Sequence, residues 1–114
     1  MKRTILALFL TLFPTLTLAN HLTPVVTNRV CMVTDHVFPT EQIPVTVDDK
    51  TYYGCCQGCK KTLETDASAR TGFDPVTQKK VDKATAYIAH GTDGSVVYFE
   101  NKATFEKYQK THNH

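Results

Sequence analysis

Cys31, Cys55, Cys56 and Cys59 are the residues of this 114-residue sequence whose types and spacing suit chemistry. Cys55 and Cys59 are four apart, a separation that on a helix puts two side chains on one face, about 5 to 6 Å apart at Cβ. Two thiolates so placed can share one ion. The unpaired N–H groups and aligned peptide dipoles of a helix start also make thiols there easier to ionise. Cys31 precedes a stretch that reads as a hairpin and would return the chain to that helix start. Three thiolates leave a fourth position for tetrahedral Zn(II), and suffice alone for Cu(I), which accepts low coordination with soft sulfur. The candidates for a further ligand are Cys56, Met32 and His36. Cys56 follows Cys55 by about 100° of helix rotation, so it joins the same ion only where Cys55 sits ahead of the first turn. His36 follows Met32 by four residues, and the pair would offer nitrogen and thioether to a Cu(I) site.

The same thiols admit two other readings. A bridge from Cys31 to Cys55 or Cys59 would staple hairpin to helix, and the product would be a disulfide-stapled envelope interaction module. Cys56-Gln57-Gly58-Cys59 is also a C-x-x-C, the motif of a thiol-disulfide oxidoreductase, here without the alternating βαβ pattern that usually carries it. No nucleophile and base pair, paired carboxylates or phosphate loop is legible, so the expectation is a binding protein rather than an enzyme. His21, His90, His112 and His114 are scattered, the last two on a short tail at 111–114.

The elements that must position these groups follow from local pattern. Residues 20–28 contain Pro24 and no clear period, and read as an extended lead-in. Residues 43–47 and 51–53 are β-branched and aromatic runs flanking the polar turn Asp48-Asp49-Lys50, which predicts a hairpin. Gly54 ends its second strand, and residues 55–66 favour helix despite Gly58. After a polar connector at 68–72, Asp74-Pro75-Val76 opens a second unit of the same design. Residues 85–89 and 95–99 predict a second hairpin around His90-Gly91-Thr92-Asp93-Gly94. A second helix follows, with Asn101 as N-cap and Phe105 and Tyr108 on its apolar face. Laid over one another, Cys31 falls on Thr77, Cys55 on Glu100 and Cys59 on Thr104. The frame repeats while the thiols do not, so one copy binds and the other supplies packing surface.

Ahead of both units, Lys2 and Arg3 precede an apolar run at 5–18 broken by threonines and Pro14, with small residues around a cut after Ala19. This reads as a signal peptide over 1–19, too short for a membrane span, and places the mature chain in the periplasm or outside the cell. Without Lys2 and Arg3 the basic and acidic residues balance. No basic stripe remains to attract a phosphate backbone, which excludes nucleic acid as the expected partner. A core this small gains from a metal or disulfides.

Cys31, the spacer to Cys55-x3-Cys59, and the Tyr52-Tyr53 strand before that pair resemble the TRASH domain, a treble-clef metal module proposed for metal sensing, trafficking and resistance. The second half is similar to the related YHS domain: Asp74-Pro75-Val76 through Val81-Asp82, then Val97-Tyr98-Phe99 and Phe105-Glu106-Lys107-Tyr108. Thr77 stands where that motif has cysteine, and Glu100 and Thr104 replace its other thiols. The resemblance implies a TRASH-like metal-binding unit at 29–70 and a YHS-like unit without cysteines at 71–110. The expected fold is α+β, two treble-clef-like units of β-hairpin plus helix packed as one compact domain. The expected function is carrying, buffering or sensing one soft ion, Cu(I) or Zn(II), and serving an envelope metal transporter or metalloenzyme.

Overall fold

The computed structural model describes residues 21–112, so the signal peptide expected at 1–19 lies outside the described residues. The chain begins with β1 (Thr23–Pro24), a 3-10 turn (Thr27–Arg29) and a short ribbon of β2 (Val30–Cys31) and β3 (His36–Val37). A hairpin of β4 (Ile43–Val47) and β5 (Lys50–Gly54) then leads into α1 (Gln57–Thr65). The order then repeats: a 3-10 turn (Ala67–Arg70), a ribbon of β6 (Thr71–Phe73) and β7 (Lys80–Asp82), a hairpin of β8 (Tyr87–His90) and β9 (Val96–Phe99), and α2 (Lys102–His112). All pairings are antiparallel, so the small α+β domain carries two hairpin-plus-helix halves.

Residues 21–28 of the expected lead-in pair and pack with the second half. Thr23 and Pro24 pair with His90 and Ala89, which makes β1 the outer strand of a β1-β8-β9 sheet. Such an edge tolerates a proline that cannot donate to the ladder. Leu22 then packs with Ala89, Phe99 and Phe105 beneath α2, so this segment serves the second half. Phe99 meets Phe105 and Tyr108 edge-on, at centroid separations of 5.5 and 5.6 Å.

The larger core cluster joins both halves. Val30, Met32, Val45, Tyr52 and Leu63 pack with Val81, Ile88 and Tyr98. The halves are therefore one folding unit, as a chain of this size needs in order to bury enough apolar area. Polar contacts reinforce the seam: the Tyr52 hydroxyl and Lys50 Nζ both donate to the Asp82 carboxylate at 2.8 Å. Arg70 donates to the Leu63 carbonyl at the end of α1.

The first hairpin closes more tightly than the sequence predicts. Val47 pairs with Lys50, so the turn is Asp48–Asp49 alone, with φ of 51° and 66°. Positive φ at both central residues is the requirement of a two-residue turn that matches strand twist, and aspartate tolerates it. In the second hairpin Gly94 has φ +87°, and a Cβ there would overlap the His36 ring. Gly94→Ala is therefore expected to destabilise the fold by about 2 kcal/mol, read as a lower urea midpoint at unchanged m. Among the described residues, no helix is long and apolar enough to cross a membrane.

Candidate metal centre

Cys31 ends β2, Cys55 follows β5 directly, and Cys59 lies in the first turn of α1. The sulfurs of these three residues all lie within 4.8 Å of one another. No disulfide joins any of the four cysteines. Two contacts hold the segments in register. The Met32 N–H donates to the Tyr53 carbonyl at 2.8 Å, which ties the Cys31 strand to β5 just ahead of Cys55. Gly54 lets α1 settle on the strand end, since a Cβ there would meet the Cys59 Cβ at 3.0 Å.

The helix begins two residues later than the cysteine spacing suggests. Cys56 is its N-cap, in extended conformation (φ −159°, ψ 173°), with its sulfur accepting the Cys59 N–H at 3.4 Å. Serine, threonine and aspartate usually fill this position, and a thiol does so here. Cys55 therefore does not share a helix face with Cys59. It reaches the cluster from the preceding loop, and the two sulfurs stand 3.7 Å apart. Cys56 Sγ is nearer still to Cys59 Sγ, at 3.4 Å, yet is not one of the three mutually close sulfurs.

Exposure and proton affinity differ along the cluster. Cys31 is fully buried, Cys59 half-buried, and Cys55 and Cys56 exposed. Burial opposes ionisation of Cys31, but hydrogen bonds from the Thr34 side chain, the Thr34 and Val33 backbone and Cys55 outweigh it and bring its thiol down to about 7. Burial and then the thiols of Cys56 and Cys55 push Cys59 up to about 12. Cys55 is raised chiefly because it donates to Cys31, while Cys56 is lowered by the Cys59 N–H. Of the three sulfurs Cys31 therefore has the lowest proton affinity, and the two beside it have higher ones. A metal ion held by these sulfurs would displace their protons.

His36 is not one of the mutually close group, and both His36 and Met32 have other neighbours. Met32 is fully buried in the core cluster shared by the two halves. The His36 ring nitrogens lie 3.1 and 2.9 Å from the carbonyl oxygens of Val37 and Asp93. Its ring also sits against Phe38 at a centroid distance of 5.6 Å.

Two buried charged groups that spacing does not single out organise the turns of the two halves. Lys83 is 5% exposed, and its ammonium donates to the Met32 carbonyl at 2.7 Å and to Asp35 at 2.9 Å. The Tyr98 hydroxyl donates to the same Asp35 oxygen at 2.7 Å. Asp35 has φ 55° and closes the turn after Cys31 by donating its N–H to the Cys31 carbonyl at 2.8 Å. Second-half side chains therefore grip the turn that carries the buried thiol.

The other group is Asp74, also fully buried. In the second half, Thr77 donates to Glu100, while the Thr104 hydroxyl and the Glu100 N–H donate to the Asp74 carboxylate at 2.7 and 2.8 Å. Thr77, Glu100 and Thr104 are the positions on which Cys31, Cys55 and Cys59 fall in the repeat. Hydrogen bonds to a buried carboxylate occupy the place that sulfurs fill in the first half.

No protein-family model, curated protein or solved structure matches this chain.

Proposed function

We propose that the chain is an exported metal-binding protein that carries, buffers or senses one soft ion, Cu(I) or Zn(II). On this reading it is a TRASH-like treble-clef unit backed by a YHS-like copy without thiols. The observation that carries the proposal is the convergence of three unbridged sulfurs, from segments 24 positions apart, to within 4.8 Å of one another. Soft thiolates select Cu(I) and Zn(II) over the hard cations that prefer oxygen. The exposed edge at Cys55 leaves the ion open to an incoming ligand, as a carrier requires and a purely structural zinc does not. The leader read at 1–19 places that work in the periplasm or outside the cell, with an envelope transporter or metalloenzyme as recipient.

Native mass spectrometry after anaerobic purification, with Cu(I) and Zn(II) offered in competition, tests this directly. One ion per chain on four free thiols is the expected result. Two disulfides and no retained ion would overturn the proposal in favour of a stapled interaction module.

Proton release supplies a second check. With Cys31 near 7 and its two companions higher, loading should release about two protons per ion at pH 8 and about three at pH 6, so affinity falls more steeply below pH 7. Titration in weakly buffered solution with an indicator dye measures the difference. A release that does not vary with pH would show that Cys31 does not carry the first charge.

A further inference from the structure

The C-x-x-C within the cluster has geometry that ion binding by the trio leaves unused. Cys56 Sγ lies 3.4 Å from Cys59 Sγ, closer than Cys55 does, while standing outside the three-sulfur group. It is exposed at the helix N-cap, whereas Cys31 is fully buried. Once an ion takes the sulfurs of Cys31, Cys55 and Cys59, Cys56 is the one free thiol of the cluster, and it faces solvent.

We propose that Cys56 is a redox release switch: it reacts with a low-molecular-weight disulfide and then bridges to Cys59, taking one of the three ligands from the ion. This inference rests on the metal-binding reading above. In the first step the Cys56 sulfur attacks one sulfur of the incoming disulfide. A Cys56 mixed disulfide forms, the incoming S–S bond breaks, and one half leaves as a thiol with the Cys56 proton. In the second step the Cys59 thiolate attacks the Cys56 sulfur, and the other half leaves as a thiolate. Two cysteine sulfurs are oxidised, one external disulfide is reduced, and the metal keeps its oxidation state. The pair is separated by two residues across the N-cap and first turn, so modest side-chain rotation brings the sulfurs to the bond distance of about 2.05 Å. Cys55 and Cys31 then hold the ion alone, too few sulfurs for zinc.

The test loads the full chain with Zn(II), whose lack of redox chemistry confines oxidation to sulfur, and then adds oxidised glutathione. A chromogenic chelator follows zinc, and peptide mass mapping locates the bridge. The expected result is release of one zinc with a Cys56–Cys59 disulfide, and release at least ~10-fold slower in Cys56→Ser, which should load zinc as the native chain does. Equal release rates in Cys56→Ser, or a bridge that includes Cys31 or Cys55, would overturn the switch while leaving the metal site intact. Weaker zinc loading by Cys56→Ser would also overturn it, by making Cys56 a ligand. A native chain that takes up no zinc before oxidant is added would instead sink the metal reading itself, and the switch with it.

Discussion

Cys31→Ser should abolish tight metal binding while leaving the fold standing. Loss of a partner behind a ligand typically costs 10- to 100-fold in affinity, so loss of a first-sphere thiolate is expected to cost more than ~100-fold. The case is strongest at Cys31, whose thiol ionises first, near 7, because Thr34 and the backbone of Thr34 and Val33 hydrogen-bond to it. Serine nearly preserves the volume of this fully buried side chain, and its hydroxyl can use the same Thr34 partner. The structural cost should therefore be small, about 1 kcal/mol. Chelator competition under anaerobic conditions gives the affinity, and urea unfolding of the empty protein gives the stability. A variant that keeps its ion within about threefold of the native affinity would exclude Cys31 as a ligand, since outer partners alone cost more than that. Cys56→Ser is the matched control, because it removes a thiol beside Cys59 at the start of α1 but from outside the trio.

Much of this architecture was legible because the signals are local. The runs before and after Asp48–Asp49 alternate and are β-branched, and they form β4 and β5; Asn101 caps α2 by accepting the Thr104 N–H at 3.0 Å. Convergence of Cys31 on the other pair followed from the hairpin that lies between them. The helix start was misplaced because cysteine is not a usual N-cap, and only the backbone conformation of Cys56 shows its sulfur in that role. Lys83 was invisible for a different reason: a lysine is normally solvated, and its partners, Met32 and Asp35, lie about fifty positions earlier in the chain. The sequence at 20–28 carries no period of its own, since two residues of edge strand are too few to show one, and the pairing of Thr23 and Pro24 with β8 is set by tertiary contact. Asp74 reads as part of a turn signal, and the donors that surround it come from both its own turn and the start of α2.

Asp74→Ala should destabilise the second half by about 3 kcal/mol, because it orphans several half-buried donors together. The Asp74 carboxylate accepts the N–H groups of Val76, Thr77 and Glu100 and the Thr104 hydroxyl, which joins the β6–β7 turn to the entry of α2. Burial by itself would raise its proton affinity, but these donors outweigh burial and hold the carboxyl below its ordinary range. The sign of the pH dependence follows. A carboxylate with a folded pKa below its unfolded value stabilises fully above the unfolded pKa, near 4, and that contribution is lost as pH falls through the folded value. The native chain should therefore lose stability in acid more steeply than Asp74→Ala does, with Asp82, also held low, sustaining part of the slope in both. At pH 7 Asp74→Asn should lie between the two in stability, since it keeps one acceptor oxygen but turns an amide N–H₂ toward groups that donate, while its acid slope should match that of Asp74→Ala because neither side chain ionises there. Urea unfolding from pH 3 to pH 7 measures all three. Parallel curves for the native chain and Asp74→Ala would show that folding does not shift the proton affinity of this carboxyl, and the donors around it would then not be what holds it ionised in the second half.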